Sequence, residues 1–557
     1  GPAGKSNAVT QRGSDRTVQP GPGAGVETAD AVVIGAGPNG LVAANMLADR
    51  GWAVTVLEAA DRPGGAVRTA EATAPGFRND LFSAFYPMAA ASPVIAELEL
   101  ERWGLRWRSA PDVLAHVLPD GRAALLSSDI EATAASLARF APGDAEAWRD
   151  EYERWRRIRR PLMDLLLRPF PPVRAASRLL RTLGTAEALR LLRMLTLPAR
   201  RLGEERFAGE GARALLAGNA MHSGLGPDQA GSACFGWLLC MIGQDLGFPV
   251  PEGGSGNLTA ALVARLESRG GRVDCRRPVA KILHARGRAV GVRDADGEAV
   301  RARRAVLADV PAPALYRDLV GAEHLPRRLA DDLDDFEWDL STVKVDWALD
   351  GPIPWEAPEA AGAGTIHIGA DVDGLSASTA AMAAGRVPDD PLLLMGQMRT
   401  ADPTRSPAGT EVAWAYTRLP QGLDWTGDDA RRLADRMERT IERHAPGFTA
   451  LVRERAVTGP GGLERMNPNL VGGAINGGSA AVHQQLVFRP VPGTGRADTV
   501  LDRLYLAGAS AHPGGAVHGG PGANAARAAL ARNGPAGGAY RAAVGACNRA
   551  LYGREAA

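Results

Sequence analysis

The chain has 557 residues, of which 45% are hydrophobic and 23% charged, and its formal net charge is +1. This length predicts at least two domains, and the composition excludes a wholly disordered chain. The balanced charge gives no global field that would favour nucleic acid. Four cysteines without CxxC spacing exclude a disulfide framework, a zinc knuckle and a dithiol redox site.

The first elements along the chain predict a nucleotide-binding unit after a tail. Residues 1–29 are rich in Gly, Pro, Ser and Thr and predict a disordered tail. Residues 30–60 predict a strand, a tight glycine turn, a helix and a second strand at 54–57, which together make one βαβ unit. Residues 154–201 hold 13 arginines among many leucines and predict helices broken near residues 169–172.

The rest of the chain returns to mixed α/β character. In residues 253–310 we expect a helix at 258–268 and short strands near 273, 279–284, 289–293 and 305–307. Residues 335–490 predict strands together with a helix at 428–444. A strand at 504–508, a glycine-rich loop and a helix at 522–532 follow. No uncharged apolar run reaches the ~18 residues of a membrane span. With no signal-peptide pattern either, the expected location is the cytoplasm.

The glycine turn has the spacing GxGxxG in Gly35, Gly37 and Gly40. In a strand–turn–helix context, the first glycine permits the turn, the second admits a pyrophosphate and the third lets the helix pack on the strand. The helix N-terminus then offers free N–H groups to the phosphates. Glu58 ends the second strand 18 residues after Gly40, where a carboxylate binds ribose hydroxyls and disfavours NADP. The alternative is a glycine turn without a ligand.

Two further glycine-rich stretches point to a flavin. Gly64 and Gly65, followed by Arg68, resemble the second motif of glutathione-reductase-like FAD enzymes, although a simple turn with a surface arginine is the alternative. Near the C-terminus, a strand ends at Gly508 and a helix begins near residue 522 after a Gly/Pro loop. Such a helix N-terminus can stabilise negative charge on a reduced flavin.

Five stretches carry a resemblance to a known family: GAGPNGLVAA (35–44), LEAADRPGGAVRT (57–69), PEGGSGNLTAAL (251–262), NPNLVGGAINGG (467–478) and PGGAVHGGPGANAARAAL (513–530). The chain resembles the phytoene-desaturase-like FAD-dependent oxidoreductases of the flavin amine oxidase superfamily. It is most similar to their pyridine nucleotide-disulfide oxidoreductase domain-containing protein 2-like branch. The "disulfide" of that name has no support here, because no redox CxxC is present.

The resemblance implies an α/β fold with two discontinuous domains. A Rossmann-like, glutathione-reductase-like FAD-binding domain would comprise residues 30–110, 250–335 and 490–557. An α+β substrate domain would comprise residues 111–249 and 336–489, with a helical cap at about 150–245. The implied cofactor is non-covalent FAD.

The family's cofactor-binding positions correspond to Gly35, Gly37, Pro38, Asn39, Gly40, Glu58, Ala59, Gly64, Gly65, Arg68, Val279, Gly508, Val517, His518 and Gly519. By resemblance, the turn 35–40 would line the pyrophosphate and Glu58 would bind the adenosine ribose. Gly65 and Arg68 would follow the pyrophosphate and ribityl chain, and Val279 would meet the adenine. Gly508 and residues 517–519 would contact the ribityl chain and flavin.

Two residues are candidate catalytic groups. His518 could hydrogen-bond the flavin edge or move a proton, or it could be a structural loop histidine. Lys344 is one of three lysines in a chain with 61 arginines. Its stretch STVKVDWALDGPIPW resembles a segment of flavin amine oxidases whose lysine holds a water at flavin N5. Strand alternation puts Lys344, Asp346 and Ala348 on one face, so a structural pair with Asp346 is the alternative.

For the substrate cavity, the candidates are Tyr86 as part of an aromatic wall, and His222 and His483 as polar contacts. The expected reaction is dehydrogenation of a largely apolar small molecule by hydride transfer to flavin N5, with reoxidation by oxygen or another acceptor. The rivals are an amine or amino-acid oxidase that releases imine and hydrogen peroxide, and a non-catalytic flavoprotein scaffold. No metal site is expected, and the oligomeric state stays open.

The Arg/Leu region 154–201 leaves three interpretations open. It could be the helical cap over the substrate cavity, a basic amphipathic surface in peripheral contact with anionic lipid, or a plain solvated face.

Overall fold

The computed structural model describes residues 26–553. Within this range the strands form two seven-stranded sheets and two short pairs. The first sheet comprises Glu27–Ile34, Val54–Leu57, Arg272–Asp274, Val279–Ala285, Arg288–Asp294, Ala299–Ala308 and Leu504–Leu506. The second comprises Asp112–Val117, Ala123–Leu126, Ser341–Leu349, Ala363–Ile368, Leu393–Gln397, Glu411–Leu419 and Val452–Thr458. The short pairs are Thr69–Ala70 with Asn79–Asp80, and Trp107–Arg108 with Val250–Pro251.

The longer α-helices are Pro38–Ala48, Ile130–Ala138, Asp144–Leu167, Val173–Thr196, Ala199–Arg206, Glu210–Ala220, Ser232–Leu246, Gly256–Glu267, Arg327–Asp334, Val372–Ala383, Gly427–His444, Gly520–Arg532 and Gly537–Tyr552. Shorter ones are Pro87–Ala91, Pro93–Glu97, Pro358–Ala361, Met398–Ala401, Phe448–Leu451 and Pro460–Met466. No helix in the described range is both long and apolar enough to cross a bilayer.

The N-terminal prediction needs one correction. Residues 1–25 of the predicted disordered tail lie outside the described residues. The predicted tail extends to residue 29, but residues 27–29 begin the first strand, where Thr28 pairs with Arg301 of a neighbouring strand. The backbone hydrogen bonds of this ladder extend the strand beyond its apolar run.

The first sheet is built on the predicted βαβ unit. Glu27–Ile34 lies between Val54–Leu57 and Ala299–Ala308, and both pairings are parallel. Leu504–Leu506 pairs in parallel with the end of Ala299–Ala308. Arg272–Asp274 pairs in parallel with Val54–Leu57, so five parallel strands end at one edge of the sheet. This edge is where ligands bind in open α/β sheets. The turn 35–40, Glu58, Asp309 and the loop after Leu506 all lie at this edge.

The second sheet is mostly antiparallel. Its register aligns five residues of neighbouring strands in one row across the sheet. Lys344 lies opposite Tyr416, and Tyr416 lies opposite Leu394 on the next strand. Leu394 is opposite His367, which is opposite His116. The other face, with Val343, Val345 and Trp347, packs on the helix Gly427–His444 through Leu433, Met437 and Ile441. The row that contains Lys344, Tyr416 and His367 therefore lies on the face away from that core.

A group of helices between residues 144 and 246 packs beside the second sheet. Its core contains the buried indoles of Trp148, Trp155 and Trp237. The predicted break near the prolines is present, because Asp144–Leu167 ends before residue 168 and the next helix begins at Val173. The domain boundaries stay a prediction, although the strands of the two sheets fall on either side of them.

Candidate functional site

The glycine turn at the first strand is closed by backbone contacts that leave no room for side chains. Gly35 has φ +93°, and a Cβ there would lie 2.9 Å from the Asp309 carbonyl oxygen. A Cβ on Gly40 would lie 2.1 Å from the Gly35 carbonyl oxygen. Both glycines are therefore required by the fold, and the helix Pro38–Ala48 begins directly behind the turn.

A second glycine turn lies against the first. Gly65 has φ +54°, and a Cβ there would lie 2.9 Å from the Cα of Gly37. The Gly64 N–H donates to the Ala36 carbonyl at 2.8 Å. Arg68 supports this turn from behind, since its Nε donates to the Gly65 carbonyl at 2.9 Å. Gly37 and Gly65 thus form one backbone cradle, which a phosphate group can approach closely.

Glu58 lies directly after the second strand, and its role as a ribose ligand stays a prediction. Its Oε2 accepts from the Ala36 N–H at 2.7 Å, and its Oε1 accepts from the Ala60 N–H at 2.8 Å. These bonds orient the carboxylate and leave lone pairs for hydroxyl donors. The neighbouring Ala59 is exposed. The Arg277 N–H donates to the Glu58 carbonyl at 2.9 Å. Val279 begins its strand two residues later and therefore lies at the same edge of the sheet.

The C-terminal loop completes this edge. Gly508 approaches so closely that a Cβ there would lie 3.0 Å from Oδ1 of Asp309. Gly519 has φ +74° and directly precedes the helix Gly520–Arg532. That helix packs on the first one, because a Cβ on Gly522 would lie 2.0 Å from the Asn39 carbonyl oxygen. Val517 lines the cavity described below.

His518 does not have the predicted catalytic or cofactor-contacting position. Its Nε2 bonds to the Gly515 carbonyl at 2.9 Å, and its Nδ1 accepts from the Gly520 N–H at 3.0 Å. Both ring nitrogens are therefore occupied by the backbone of the loop. Burial lowers the pKa of His518 to about 4, so the ring is neutral near pH 7. We conclude that this histidine holds the loop in shape, which was the alternative interpretation.

One cavity of about 340 Å³ joins the cradle to the second sheet. At one end it is lined by Gly37, Pro38, Asn39, Gly65 and Val517. At the other end it is lined by Lys344, Thr342, Thr365, Trp414, Tyr416 and His222. Most of the side chains between these ends are apolar: Phe82, Phe85, Met88, Leu239, Phe248, Leu463, Leu470 and Ile475.

The cradle end fits a flavin dinucleotide by its own chemistry. The side-chain Oδ1 of Asn39 is buried without a hydrogen-bond partner, so it is available to a ligand donor. The glycine cradle leaves backbone where side chains would block a pyrophosphate. Glu58 offers an oriented carboxylate, and the helix Pro38–Ala48 points its N-terminus at the cavity. These features agree with the cofactor that the sequence predicts.

Lys344 lies in the cavity wall and is held by two acceptors. Its Nζ donates to Oδ1 of Asp346 at 2.5 Å and to the Asp80 carbonyl at 2.9 Å, and the side chain is buried. Burial raises the pKa of Asp346, and the ammonium of Lys344 opposes that rise. The pairing with Asp346 is the structural alternative that strand alternation suggested. A role for Lys344 toward a cofactor stays a prediction, and its place in the cavity is compatible with it.

His222 belongs to a buried chain of hydrogen-bonded rings. Its Nδ1 lies 3.2 Å from the Tyr416 hydroxyl, and its Nε2 lies 3.0 Å from Nε2 of His367. Burial lowers the pKa of His222 to about 3 and that of His116, whose ring lies edge-on to His367, to about 4. These imidazoles are therefore neutral at physiological pH. A Cβ on Gly218 would collide with Nδ1 of both His367 and His116, at 2.6 and 2.7 Å.

The two remaining pocket candidates differ. Tyr86 is buried in the cavity wall, and its hydroxyl lies 2.7 Å from the Ser83 hydroxyl. Burial raises its pKa, which supports the interpretation of a wall residue rather than a base. His483, by contrast, lies at the surface with its side chain 65% exposed and bonded to Glu337. The prediction that His483 points into the cavity is wrong, because its 3₁₀ turn carries the ring outward.

Arg489 connects the loops on the two sides of the cavity. Its guanidinium donates to the carbonyls of Asn476 and Ser479 on one loop and to that of Ala509 on the other, at 2.7–3.2 Å. Burial lowers the pKa of Arg489 to about 10, so it keeps its charge. The guanidinium thereby fixes the substrate-side loop to the cofactor-side loop.

Sequence reasoning missed several residues of the site, among them Asp309, Tyr416, His367 and Arg489. Asp309 lies at the cradle and Tyr416 opposite Lys344. Alternation in the strand segment WAYTR (414–418) could have indicated Tyr416, since it shares a face with Trp414. Asp309 directly follows an apolar strand, but only the pairing of that strand with Glu27–Ile34 brings it to the glycine turn.

Comparisons with known proteins agree with this geometry. Residues 39–530 match the family described as flavin containing amine oxidoreductase. A Mus musculus protein, pyridine nucleotide-disulfide oxidoreductase domain-containing protein 2, is 30% identical over 89% of this chain and 92% of its own length. A neurosporene-forming phytoene desaturase of Rhodobacter capsulatus is 25% identical over 87% of this chain and 91% of its own length.

Solved structures share the fold. An oxidoreductase from Methanosarcina mazei has a TM-score of 0.59 at 15% identity, covering 90% of this chain and 99% of its own. Likeness at this identity concerns the fold alone.

Proposed function

Because the chain belongs to the flavin-containing amine oxidoreductase family and is a flavin-dependent oxidoreductase, we propose that it binds FAD non-covalently and dehydrogenates a largely apolar small molecule at a carbon–carbon bond. The observation that carries this proposal is the single cavity running from the glycine cradle to the second sheet. The cavity connects the glycine cradle, where the dinucleotide would bind, with an apolar chamber. We use this name for the part lined by Phe82, Phe85, Met88, Leu239, Phe248, Leu463, Leu470 and Ile475.

The lining of the chamber favours an apolar substrate. Phe82, Phe85, Phe248, Leu239 and Ile475 are among the side chains that surround it. Trp414 and Tyr416 stack nearly parallel on its floor, with ring centroids 6.1 Å apart. The floor is shaped by Gly396, because a Cβ there would lie 2.5 Å from Cε2 of Trp414. A substrate that buries apolar surface here gains the usual hydrophobic stabilisation.

The charges at the sheet end favour a carbon–carbon bond over an amine. The ammonium of Lys344 lines this end, and its partner Asp346 does not. Among the described residues, Asp309 at the cradle is the one acidic residue in the cavity lining, so an alkylammonium substrate at the sheet end would find no carboxylate to pair with there. The phytoene desaturase relative supports the same direction.

When bound, FAD would supply the hydride acceptor, with oxygen or another acceptor taking the electrons onward. The chain's own residues position the substrate and exclude water. The apolar wall keeps solvent from the reacting carbon, and the neutral pair of His222 and Tyr416 offers one hydrogen bond to a polar substituent. Lys344 presents an ammonium fixed by Asp346 and the Asp80 carbonyl.

Anaerobic bleaching of the flavin tests this proposal. The holoenzyme is mixed with a library of apolar alkenes, terpenoids and amines, and the products are identified by mass spectrometry. Bleaching by uncharged apolar compounds, with products two mass units lighter, is the expected result. Bleaching by amines with release of imine would assign the chain to the amine oxidases instead. A flavin that no compound bleaches would favour a non-catalytic binding scaffold.

We also propose that the outer face of the cap helix Val173–Thr196 contacts anionic lipid. Leu189 and Leu192 are 66% and 60% exposed on this face, and Val173 is 67% exposed. Gly184 has non-helical backbone with φ +75° and divides this helix into two parts. Arg174 and Arg181 stand exposed on the first part, and Leu189 and Leu192 on the second. The inner face is buried in the helical core through Leu179, Leu191 and Met194. The same region can therefore cover the cavity with its inner face and contact lipid with its outer face. Exposed leucines beside arginines suit the interface of an anionic membrane.

Vesicle sedimentation tests the lipid contact. The protein should pellet with phosphatidylserine vesicles at low salt and be released at high salt. The double variant Leu189→Ser/Leu192→Ser should pellet less, whereas Leu246→Ser, a leucine 40% exposed outside that helix, should not differ from wild type. Equal pelleting of all three proteins, or no pelleting at any salt concentration, would mean that this face is solvated and does not contact lipid.

A further inference from the structure

Asp309 places a carboxyl group inside the cradle of the dinucleotide site. Its Oδ2 accepts from the Gly40 N–H at 2.8 Å and lies 2.8 Å from where a Gly37 Cβ would be. Its Oδ1 lies 3.0 Å from where a Gly508 Cβ would be. The side chain is buried and also lines the cavity. The carboxyl therefore occupies the surface to which the two phosphates of FAD would come closest.

No cation balances this carboxyl among residues 26–553. None of the ion pairs in the described part of the chain includes Asp309. The groups that face the residue from neighbouring elements are the Gly40 N–H, Glu58, Gly508 and Asn469, whose Nδ2 donates to the Asp309 carbonyl. Glu58 is the ionisable group of this set, and it is acidic as well. Apart from the Gly40 N–H, a negative charge on Asp309 would thus face another acid and the phosphates.

We propose that Asp309 couples FAD binding to proton uptake, so that the dinucleotide binds with this carboxyl neutral and is weakened when it ionises. The inference rests on the proposed cofactor. Its physical reason is that a pyrophosphate carries two negative charges, and a buried carboxylate beside it would add a third in a poorly screened site. A neutral carboxyl can instead donate a hydrogen bond to a phosphate or ribityl oxygen while Oδ2 keeps the Gly40 N–H.

The direction of the pH dependence follows from the pKa of the free site. Burial, reinforced by Glu58 and opposed by the Gly40 N–H, raises the pKa of Asp309 to about 7. Well below that pH the proton is already present, and the dissociation constant for FAD is constant. Above it, each binding event takes up one proton, so the dissociation constant rises up to about tenfold per pH unit until the pKa of the complex is reached.

The experiment measures FAD binding rather than turnover. Full-length protein is equilibrated with FAD between pH ~5.5 and ~9, and free flavin is quantified by fluorescence after ultrafiltration. Wild type should bind with a constant dissociation constant at low pH and a rise of about tenfold per unit above pH ~7. Asp309→Asn should bind as tightly as protonated wild type and lose the rise. Asp498→Asn, at a buried carboxyl outside the cavity, should keep the wild-type profile.

A second measurement does not depend on a variant that folds. Calorimetry of FAD binding to wild type in buffers of different ionisation enthalpy should show uptake of about one proton at pH ~8 and none at pH ~5.5. A pH-independent dissociation constant with no proton uptake would overturn the proposal. So would Asp309→Asn binding FAD more weakly at every pH, because the carboxylate would then be a ligand. Failure to bind FAD at any pH would overturn the cofactor assignment itself, and this inference with it.

Discussion

Gly65 lies against Gly37 with no space for a side chain on either residue. A Cβ on Gly65 would lie 2.9 Å from the Gly37 Cα, and one on Gly37 would lie 2.8 Å from Oδ2 of Asp309. Two turns separated by almost thirty residues, one before the first helix and one after Glu58, therefore share a single backbone surface. The cradle depends on both glycines at once.

Gly37→Val should abolish FAD binding, because the valine side chain would fill the space for the pyrophosphate. A ligand at 100 times its dissociation constant stabilises a protein by about 2.7 kcal/mol, so the variant should also melt at a lower temperature. Bound flavin is measured by absorbance after gel filtration, and melting by calorimetry. Gly538→Val is the matched control, because no atom lies within 4 Å of a Cβ there. Retention of FAD by Gly37→Val would refute the assignment of the cradle.

Lys344→Met should keep FAD but slow reoxidation of the reduced flavin by oxygen at least tenfold, a barrier change of about 1.4 kcal/mol. A buried ammonium stabilises negative charge that develops on oxygen. Stopped-flow absorbance measures the rate. Since the single variant leaves Asp346 without its partner, Lys344→Met/Asp346→Asn is the control for a buried, unpaired carboxyl. Wild-type reoxidation in both variants would leave Lys344 with a purely structural role.

His518→Gln should lower stability without changing the pH dependence of flavin reoxidation between pH ~6 and ~8. The folded-state pKa of His518, about 4, lies below its unfolded value. A histidine with a lowered pKa stabilises the fold above the unfolded pKa, and this contribution is lost as the pH falls from ~6.5 toward ~4. The variant should therefore lose less stability on acidification than wild type, by roughly 3 kcal/mol.

The surface histidine provides the comparison for that prediction. His483→Gln changes a side chain that is 65% exposed, so melting temperature and acid sensitivity should both stay at wild-type values. Thermal melts at several pH values measure the two variants together. If His518→Gln instead shifted the pH profile of reoxidation, the ring would have a role in proton movement that its hydrogen bonds do not indicate.

Gly218→Ala should destabilise the protein by roughly 1–3 kcal/mol, which is typical of overpacking in a core. The added methyl would collide with Nδ1 of His367 and of His116, and displacing His367 would break its bond to His222. Denaturant unfolding measures the change. Gly143→Ala, where no atom lies within 4 Å of the new Cβ, is the control. Equal stability of the two variants would mean that the imidazoles can repack freely.

The cofactor end of the site could be predicted because its residues are local in sequence. The strand, turn and helix around Gly35–Gly40 follow one another, and Glu58 ends the next strand, so spacing alone places them. The strand 54–57 was predicted with the bounds that the structure has. The helices at 258–268 and 428–444 differ from the observed Gly256–Glu267 and Gly427–His444 by one or two residues. Strong periodicity fixes such elements without tertiary information.

The substrate end depends on contacts between distant segments. Tyr416 and His367 meet His222 only because three strands align beside the helical region, with sequence separations above 140 residues. The direction of a ring in a glycine-rich loop is not encoded by residue spacing either, which explains the errors at His518 and His483. Asp309 was missed for the same reason, since it reaches the Gly40 N–H, 269 residues away in sequence, only through the pairing of Ala299–Ala308 with Glu27–Ile34.

Arg489 ties the loop beside the cofactor end of the cavity to the loop beside the substrate end. One guanidinium satisfies carbonyl oxygens of Asn476, Ser479 and Ala509 at the same time. If the two loops moved apart, the guanidinium could not bond to both, and the carbonyls of one loop would lose their donor. Each buried carbonyl left without a donor costs about 1–3 kcal/mol. Hydrogen bonds from one guanidinium therefore hold the loop beside the cofactor end to the loop beside the substrate end. Displacing one of these loops from the other would therefore disturb the lining of the cavity at both ends.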